Sequence, residues 1–157
     1  LDHSRHLLNR LHDNSIDVCF SYMATNEISY KCIPYKTDEI IFVTNSQNIQ
    51  FSNGIHNGEI LHLPIIYSKF MPKSGFDWIH DIFPPHYVFQ FTISVIKEII
   101  PFLLQYPYYA FLPRKLIEKE LKDGLLIEIP LLDYHIPPLQ SYIIMKSNAK
   151  YNPLDYF

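Results

Sequence analysis

The alternation of hydrophobic and polar positions predicts short strands separated by short helices. Leu7, Leu8 and Leu11 have the spacing of one helical face, so a helix is predicted over residues 1–11. Short apolar runs then predict strands at about 16–20, 29–33, 39–44 and 63–67. Pro34 is expected to end the second of these strands or to place it at a sheet edge, because proline lacks the amide that a central strand donates.

The second half of the chain continues this pattern. Helices are predicted over about 71–81, 93–105 and 114–122, and strands over 87–92, 108–112, 125–129 and 139–145. Pro101 is expected to kink the second of these helices or to end it early, because its missing amide cannot bond to the previous turn. Strands that alternate with helices predict an α/β fold with partly parallel pairing.

Composition and charge exclude some classes of protein. Hydrophobic residues make up 48% of the chain and charged residues 18%, which predicts a packed core and not a disordered segment. The net charge is −3 and no basic cluster occurs, so this part of the protein is not expected to bind DNA. No run reaches the roughly 18–20 apolar residues of a membrane span. Together with the lack of a visible leader, this predicts a cytoplasmic protein, and the start at Leu1 suggests a fragment.

The sequence shows no pattern of residues typical of a catalytic, metal or cofactor site. Cys19 and Cys32 lie in apolar, strand-like surroundings and are expected to be free thiols. His3, His6 and His12 do not share one helical face, so they are expected to be surface residues and not metal ligands. No serine stands in a glycine-flanked elbow and no phosphate-type glycine loop occurs. We therefore expect no enzyme activity, no metal and no cofactor.

The most specific stretch covers residues 91–145. A predicted helix is followed by a strand that ends in Leu112-Pro113, then by a helix that ends in Lys122-Asp123-Gly124-Leu125, and finally by the strand Ser141–Met145. This order resembles the C-terminal half of the effector-binding domain of LysR-type bacterial transcription regulators. Upstream, Ile16-Asp17-Val18 and Glu39–Val43 are similar to two further elements of the same family.

The resemblance implies a two-lobed α/β fold like that of type 2 periplasmic binding proteins, with mixed sheets flanked by helices. The first lobe would hold residues 1–43 and 136–157, and the second would hold residues 44–135. The family has a DNA-binding domain and a first strand that precede these elements, so the resemblance implies that this chain lacks both. One corner departs from the family pattern, because Tyr106-Pro107-Tyr108 stands where the family has glycines.

The candidate effector-binding residues follow from the strand ends. Open α/β sheets bind ligands beyond the carboxyl ends of their strands, and the family binds its effector between the lobes. The residues predicted at these ends or on a neighbouring wall are Ser21, Tyr22, Thr44, Ser68, Lys69, Thr92, Ser94 and Phe111. The hydroxyls would donate to a carboxylate, and Lys69 would add a charge-assisted bond. In the alternative interpretation the polar residues are caps and turn residues and Phe111 is part of the core.

The resemblance implies a small-molecule-sensing domain that forms dimers or tetramers and reaches DNA only through a separate domain. Two alternatives on the same fold remain open, a stand-alone solute-binding protein and an enzyme such as a dehydratase. An export signal would favour the first alternative, and a constellation of polar catalytic residues would favour the second.

Overall fold

The computed structural model describes residues 4–68 and 77–149. The described chain divides into two compact units. The first contains the residues up to Thr37 and those from Leu139 onward, and the second contains Asp38–Pro138. The correspondence of these units to two lobes that enclose an effector stays a prediction.

The helices and strands are short and follow one another in the α/β order that the sequence predicts. The helices are α1 (Ser4–His12), α2 (Asn57–Ile60), α3 (Ile79–Ile82), α4 (Ile99–Gln105) and α5 (Glu118–Lys122). The strands are β1 (Val18–Ser21), β2 (Tyr30–Asp38), β3 (Ile40–Asn45), β4 (Ile65–Ser68), β5 (Phe91–Ile93), β6 (Tyr109–Pro113), β7 (Leu126–Glu128) and β8 (Leu139–Lys146). Turns of 3-10 helix cover Ile96–Glu98 and Arg114–Ile117.

The first unit is built on a three-stranded sheet in the order β1-β8-β2. β1 pairs antiparallel with β8, with Val18 opposite Met145. Leu11 of α1 packs with Cys19 and Ile144 in a small buried cluster. Pro34 lies within β2, which occupies an edge of this sheet, so the strand continues through the proline at the position where its missing amide costs least.

The second unit contains a five-stranded mixed sheet in the order β5-β4-β6-β3-β7. β3 pairs antiparallel with both β6 and β7. β4 pairs parallel with both β5 and β6. The mixed sheets predicted for this chain are therefore confirmed.

Side chains on the two faces of this sheet differ because successive residues of a strand point to opposite sides. Ile41, Val43, Ala110 and Leu112 belong to one aliphatic cluster, which Ile99 and Leu103 of α4 complete. The alternate positions carry rings. Phe42 stacks on Tyr109 with their ring centres 5.5 Å apart and contacts Phe111 at 4.6 Å. Trp78 and Phe83 pack on Phe111 from the segment before β5.

Three predicted elements differ from the structure. Pro101 lies in the first turn of α4, where an amide has no partner to lose, so it does not kink the helix. β5 covers only Phe91–Ile93, and Tyr87 and Phe89 before it pack their rings together. Of the helix predicted over 71–81, residues 69–76 lie outside the described residues, and α3 follows at Ile79–Ile82.

Candidate effector-binding site

Three of the predicted site residues lie together at one edge of the five-stranded sheet. Ser68, the last residue of β4, pairs in register with Ile93, the last residue of β5. Thr92 pairs with Tyr67 in the same ladder, and Ser94 is the residue after Ile93. Because β4 and β5 are parallel, their carboxyl ends meet here. We call this the serine edge, defined by Ser68, Thr92 and Ser94.

The serine edge combines a buried hydroxyl with exposed ones. Ser68 is 1% exposed, whereas Thr92 and Ser94 are exposed. The sequence allowed Thr92 or Ser94 to cap the helix that follows. The residue before the first helical turn is instead Val95, and no side chain makes a cap hydrogen bond there. The hydroxyl groups of Thr92 and Ser94 are therefore not used in capping this helix.

Thr44 lies at the opposite edge of the sheet. It pairs with Tyr109, the first residue of β6, and Tyr109 pairs with Ile65, the first residue of β4. Thr44 is predicted to lie with the other strand ends. Because β3 runs antiparallel to β6, and β6 runs parallel to β4, the carboxyl end of β3 lies away from the serine edge. The Thr44 hydroxyl is buried and donates to the carbonyl of Tyr108 at 2.8 Å. This hydrogen bond agrees with the alternative interpretation, in which the polar residues at strand ends have a structural role.

Polar side chains around Thr44 form a network that we call the asparagine edge, defined by Thr44, Asn45 and Asn48. The Asn45 amide donates to the carbonyls of Leu103 (3.2 Å) and Leu104 (2.8 Å) near the end of α4. The Asn48 amide donates to the Thr44 hydroxyl at 3.3 Å and to the Tyr109 hydroxyl at 2.8 Å. These bonds join the end of β3 and the segment after it to β6 and α4.

Ser21 and Tyr22 belong to the first unit, where Ser21 is the last residue of β1 and Tyr22 follows it. Ser21 is 4% exposed, and its hydroxyl accepts a hydrogen bond from the amide of Met23 at 2.9 Å. This short-range bond is typical of a serine in a turn. Tyr22 is half-buried.

The remaining two candidates are Phe111 and Lys69. Phe111 is 4% exposed and packs on Phe42, Trp78 and Phe83, so it is part of the core of the second unit. Lys69 lies outside the described residues.

A group of aromatic residues beside the serine edge was missed in the sequence. Tyr67 precedes Ser68 and stacks on Phe89 with ring centres 4.6 Å apart, and Phe89 contacts Phe83 and Tyr87 at 5.0 Å each. Burial raises the pKa of the Tyr67 and Tyr87 hydroxyls, which keeps them neutral donors at pH 7. The rings at Tyr87 and Phe89 are the signal that the sequence offers, but their alternation predicts a strand.

The clearest cluster of charges lies on the other strands of the second unit. Arg114, directly after β6, contacts Glu39 at 2.5 Å and Glu128 at 2.6 Å. Hydrogen bonds that the guanidinium donates to the Glu128 and Glu39 carboxylates raise its pKa. All three side chains are at least 40% exposed, and they line a cavity of about 440 Å³. Because two carboxylates neutralise Arg114, this cluster is not a ready site for an anion.

No metal site is formed by the described residues. Within 4–68 and 77–149, no group of three histidine, cysteine or acidic side chains could hold a metal ion. In the same ranges, no helix is long and apolar enough to cross a membrane. Cys19 is buried and Cys32 half-buried, and both are free thiols, as the sequence predicts.

No protein-family model matches the sequence, and no curated protein matches it significantly. Solved structures do match. OxyR of Corynebacterium glutamicum is 18% identical with a TM-score of 0.71, over 95% of this chain and 48% of that one. A probable transcriptional regulator from Pseudomonas aeruginosa is 12% identical with a TM-score of 0.72, over 91% of this chain and 48% of that one. The bromide-bound regulatory domain of HypT from Salmonella typhimurium is 15% identical with a TM-score of 0.73, over 99% of this chain and 75% of that one.

These likenesses establish the fold. The chain has the two-sheet α/β fold of regulatory domains of LysR-type transcription regulators, which is like that of periplasmic binding proteins. The fold that the resemblance implied is therefore confirmed. The chain spans about half the length of the first two proteins named above.

Proposed function

We propose that this chain is the effector-sensing domain of a LysR-type transcription regulator and not an enzyme. The main support is the fold, which matches regulatory domains over 99% of the chain in the HypT comparison. The described residues add hydroxyl groups at the ends of two parallel strands, where α/β proteins commonly bind ligands.

The effector that suits the serine edge best is a small carboxylate. Thr92 and Ser94 each offer an exposed hydroxyl donor beside the buried Ser68, and hydrogen bonds to an ionised group are stronger than neutral ones. We propose that Ser21, Tyr22 and Lys69 also contribute to effector binding. The neighbouring rings of Tyr67 and Phe89 would favour a carboxylate with an aromatic or other flat apolar body.

Regulation by this domain would operate through assembly. We propose that it forms a homodimer or a tetramer in the cytoplasm, and that DNA is bound only by a separate domain. An effector that binds one arrangement of the lobes more tightly than another shifts the population toward that arrangement. The net charge of −3 agrees with a domain that does not hold DNA itself.

A thermal-shift screen of small carboxylates, with benzoate as the reference probe, tests this proposal. We expect at least one carboxylate to raise the melting temperature of the 157-residue chain. Ser94→Ala and Lys69→Ala should each weaken its binding about tenfold, because each removes a bond to a charged group. Ser52→Ala is the matched control, since Ser52 is an exposed serine outside the serine edge. If the affinity is unchanged in both site variants, the site is wrong.

The coding sequence upstream of this chain gives a second test. A winged helix-turn-helix would support a transcription regulator, whereas a secretory signal peptide would contradict it and favour a solute-binding protein.

A further inference from the structure

The asparagine edge borders a cavity that the proposed function does not use. It has a volume of about 490 Å³, within the range of small-molecule sites. Phe51, Leu63, Pro64 and Pro107 supply its apolar wall. The polar residues that line it are Asn48, Gln50, Glu59, His62 and Tyr109. All of these residues belong to the second unit, at the opposite end of its sheet from the serine edge.

The Tyr109 hydroxyl is the distinctive polar group of this cavity. Tyr109 is 2% exposed, and its ring is held between Phe42 at 5.5 Å and Phe51 at 6.5 Å. The Asn48 amide donates to the hydroxyl oxygen at 2.8 Å, so the acceptor side of the hydroxyl is occupied. Among the described residues, no acceptor takes the proton of this hydroxyl. Burial raises the pKa of Tyr109, so the proton is present at neutral pH.

Glu59 is the acidic group of the lining and disfavours an anion. Glu59 lines the cavity, and its carboxylate is held in place by a hydrogen bond from the amide of His56 at 3.0 Å. A second carboxylate in the cavity would be repelled by Glu59. The lining therefore combines apolar surface with the Tyr109 hydroxyl, the negative charge of Glu59 and the side chains of Asn48, Gln50 and His62.

We propose that this cavity is a second ligand site, which binds a neutral small molecule with a carbonyl oxygen and an apolar body. The carbonyl would accept the hydrogen bond of the Tyr109 hydroxyl, and the apolar body would pack on Phe51, Leu63 and the two prolines. A buried donor without a partner is unfavourable, so a carbonyl acceptor in the cavity gains the bond that the protein leaves unmade. The site is separate from the serine edge and can be tested independently of it.

Three probes of similar shape separate the contributions: acetophenone, ethylbenzene and benzoate. Each is titrated into the isotope-labelled 157-residue chain, and the shifts of backbone amide signals are recorded by NMR. We expect acetophenone to shift the amides of Phe51, His62 and Leu63 and to bind about two- to tenfold more tightly than ethylbenzene, which lacks the oxygen. Benzoate should not shift these amides. Any benzoate shifts at Ser68 or Ser94 would report on the effector site instead.

Two variants show whether Tyr109 is responsible. In Tyr109→Phe, acetophenone should lose its advantage over ethylbenzene, whereas Tyr30→Phe, at a tyrosine of β2 in the first unit, should keep it. Leu63→Trp fills the cavity and should abolish the shifts from both neutral probes, which tests the site even if Tyr109→Phe fails to fold. Equal affinity for the two neutral probes, an advantage that persists in Tyr109→Phe, or an absence of shifts at the lining would each overturn the proposal.

Discussion

The two edges of the five-stranded sheet use the same residue types in different ways. At the asparagine edge the hydroxyl of Thr44 and the amides of Asn45 and Asn48 bond to neighbouring strands and to α4. At the serine edge Thr92 and Ser94 are exposed and cap no helix. The difference teaches that a polar residue at a strand end has no fixed role. Its burial and the direction of the neighbouring strand decide whether it stabilises the fold or can meet a ligand.

A substitution in the core between the two edges should cause the largest loss in the free energy of unfolding. Phe111→Ala removes a ring that is 4% exposed and contacts Phe42 and Trp78. We expect a loss of about 3–5 kcal/mol in the free energy of unfolding, as for other buried phenylalanines. Urea denaturation followed by circular dichroism measures it. A loss below about 1 kcal/mol would show that this face tolerates a cavity, contrary to the packing described.

Thr44→Val compared with Thr92→Val tests the two edges directly. The first removes a buried hydroxyl, which leaves the Tyr108 carbonyl without that donor and the Asn48 amide without one acceptor. The cost should be about 1–3 kcal/mol, because buried polar groups lose their partners. Thr92→Val, at an exposed position, should change the stability by less than about 0.5 kcal/mol. Equal effects would remove the distinction between the edges.

A pair of exposed side chains outside both edges should give the smallest effect. It should be measurable as a shift in pKa, without a large change in the free energy of unfolding. His56 Nδ1 lies 2.9 Å from Asp133 Oδ1. This hydrogen bond raises the pKa of His56 and lowers that of Asp133. The raised histidine pKa stabilises the fold below the unfolded value of about 6.5, and the contribution is lost as the pH rises through the folded value. The lowered aspartate pKa contributes above about 3.8 and is lost on acidification.

NMR titration of the His56 ring tests this pair. We expect a pKa above 6.5 in the natural chain and a return toward 6.5 in Asp133→Asn, which keeps the shape of the side chain but removes its charge. Glu118→Gln alters a different exposed pair, with Lys122, and should leave the His56 titration unchanged. An unaltered His56 pKa in Asp133→Asn would show that the contact does not form in solution.

The sequence predicts where the strands lie along the chain better than how they pair in the sheets. Apolar runs such as Ile40–Val43 and Tyr109–Leu112 predict strands because each lies between turn residues, and both are strands in the structure. Such runs do not predict whether a strand pairs parallel or antiparallel with its neighbours. Ser68 and Thr92 come together because β4 and β5 are parallel, while Thr44 is separated from them because β3 is antiparallel to β6. Whether the serine edge binds an effector stays a prediction.

The aromatic contribution to the site could not be predicted, because ring contacts depend on tertiary packing. Phe89 reaches Tyr67 from a segment more than twenty residues later, and Phe83 joins both Phe89 and Phe111. The sequence indicated Phe111 as one possible wall of the cleft. It could not show that Phe111 is enclosed by other rings, since nothing local to β6 specifies its neighbours.

The chain passes between its two units twice, after Thr37 and again after Pro138. The second unit is one continuous segment, so during synthesis all of its strands are available before β8 has been made. The first unit needs β8 as the central strand of its sheet, between β1 and β2. We therefore expect the second unit to fold first and the first unit to remain incomplete until β8 has been made, as a non-local pairing requires. A premature stop before Leu139 would leave β1 and β2 without the strand that lies between them.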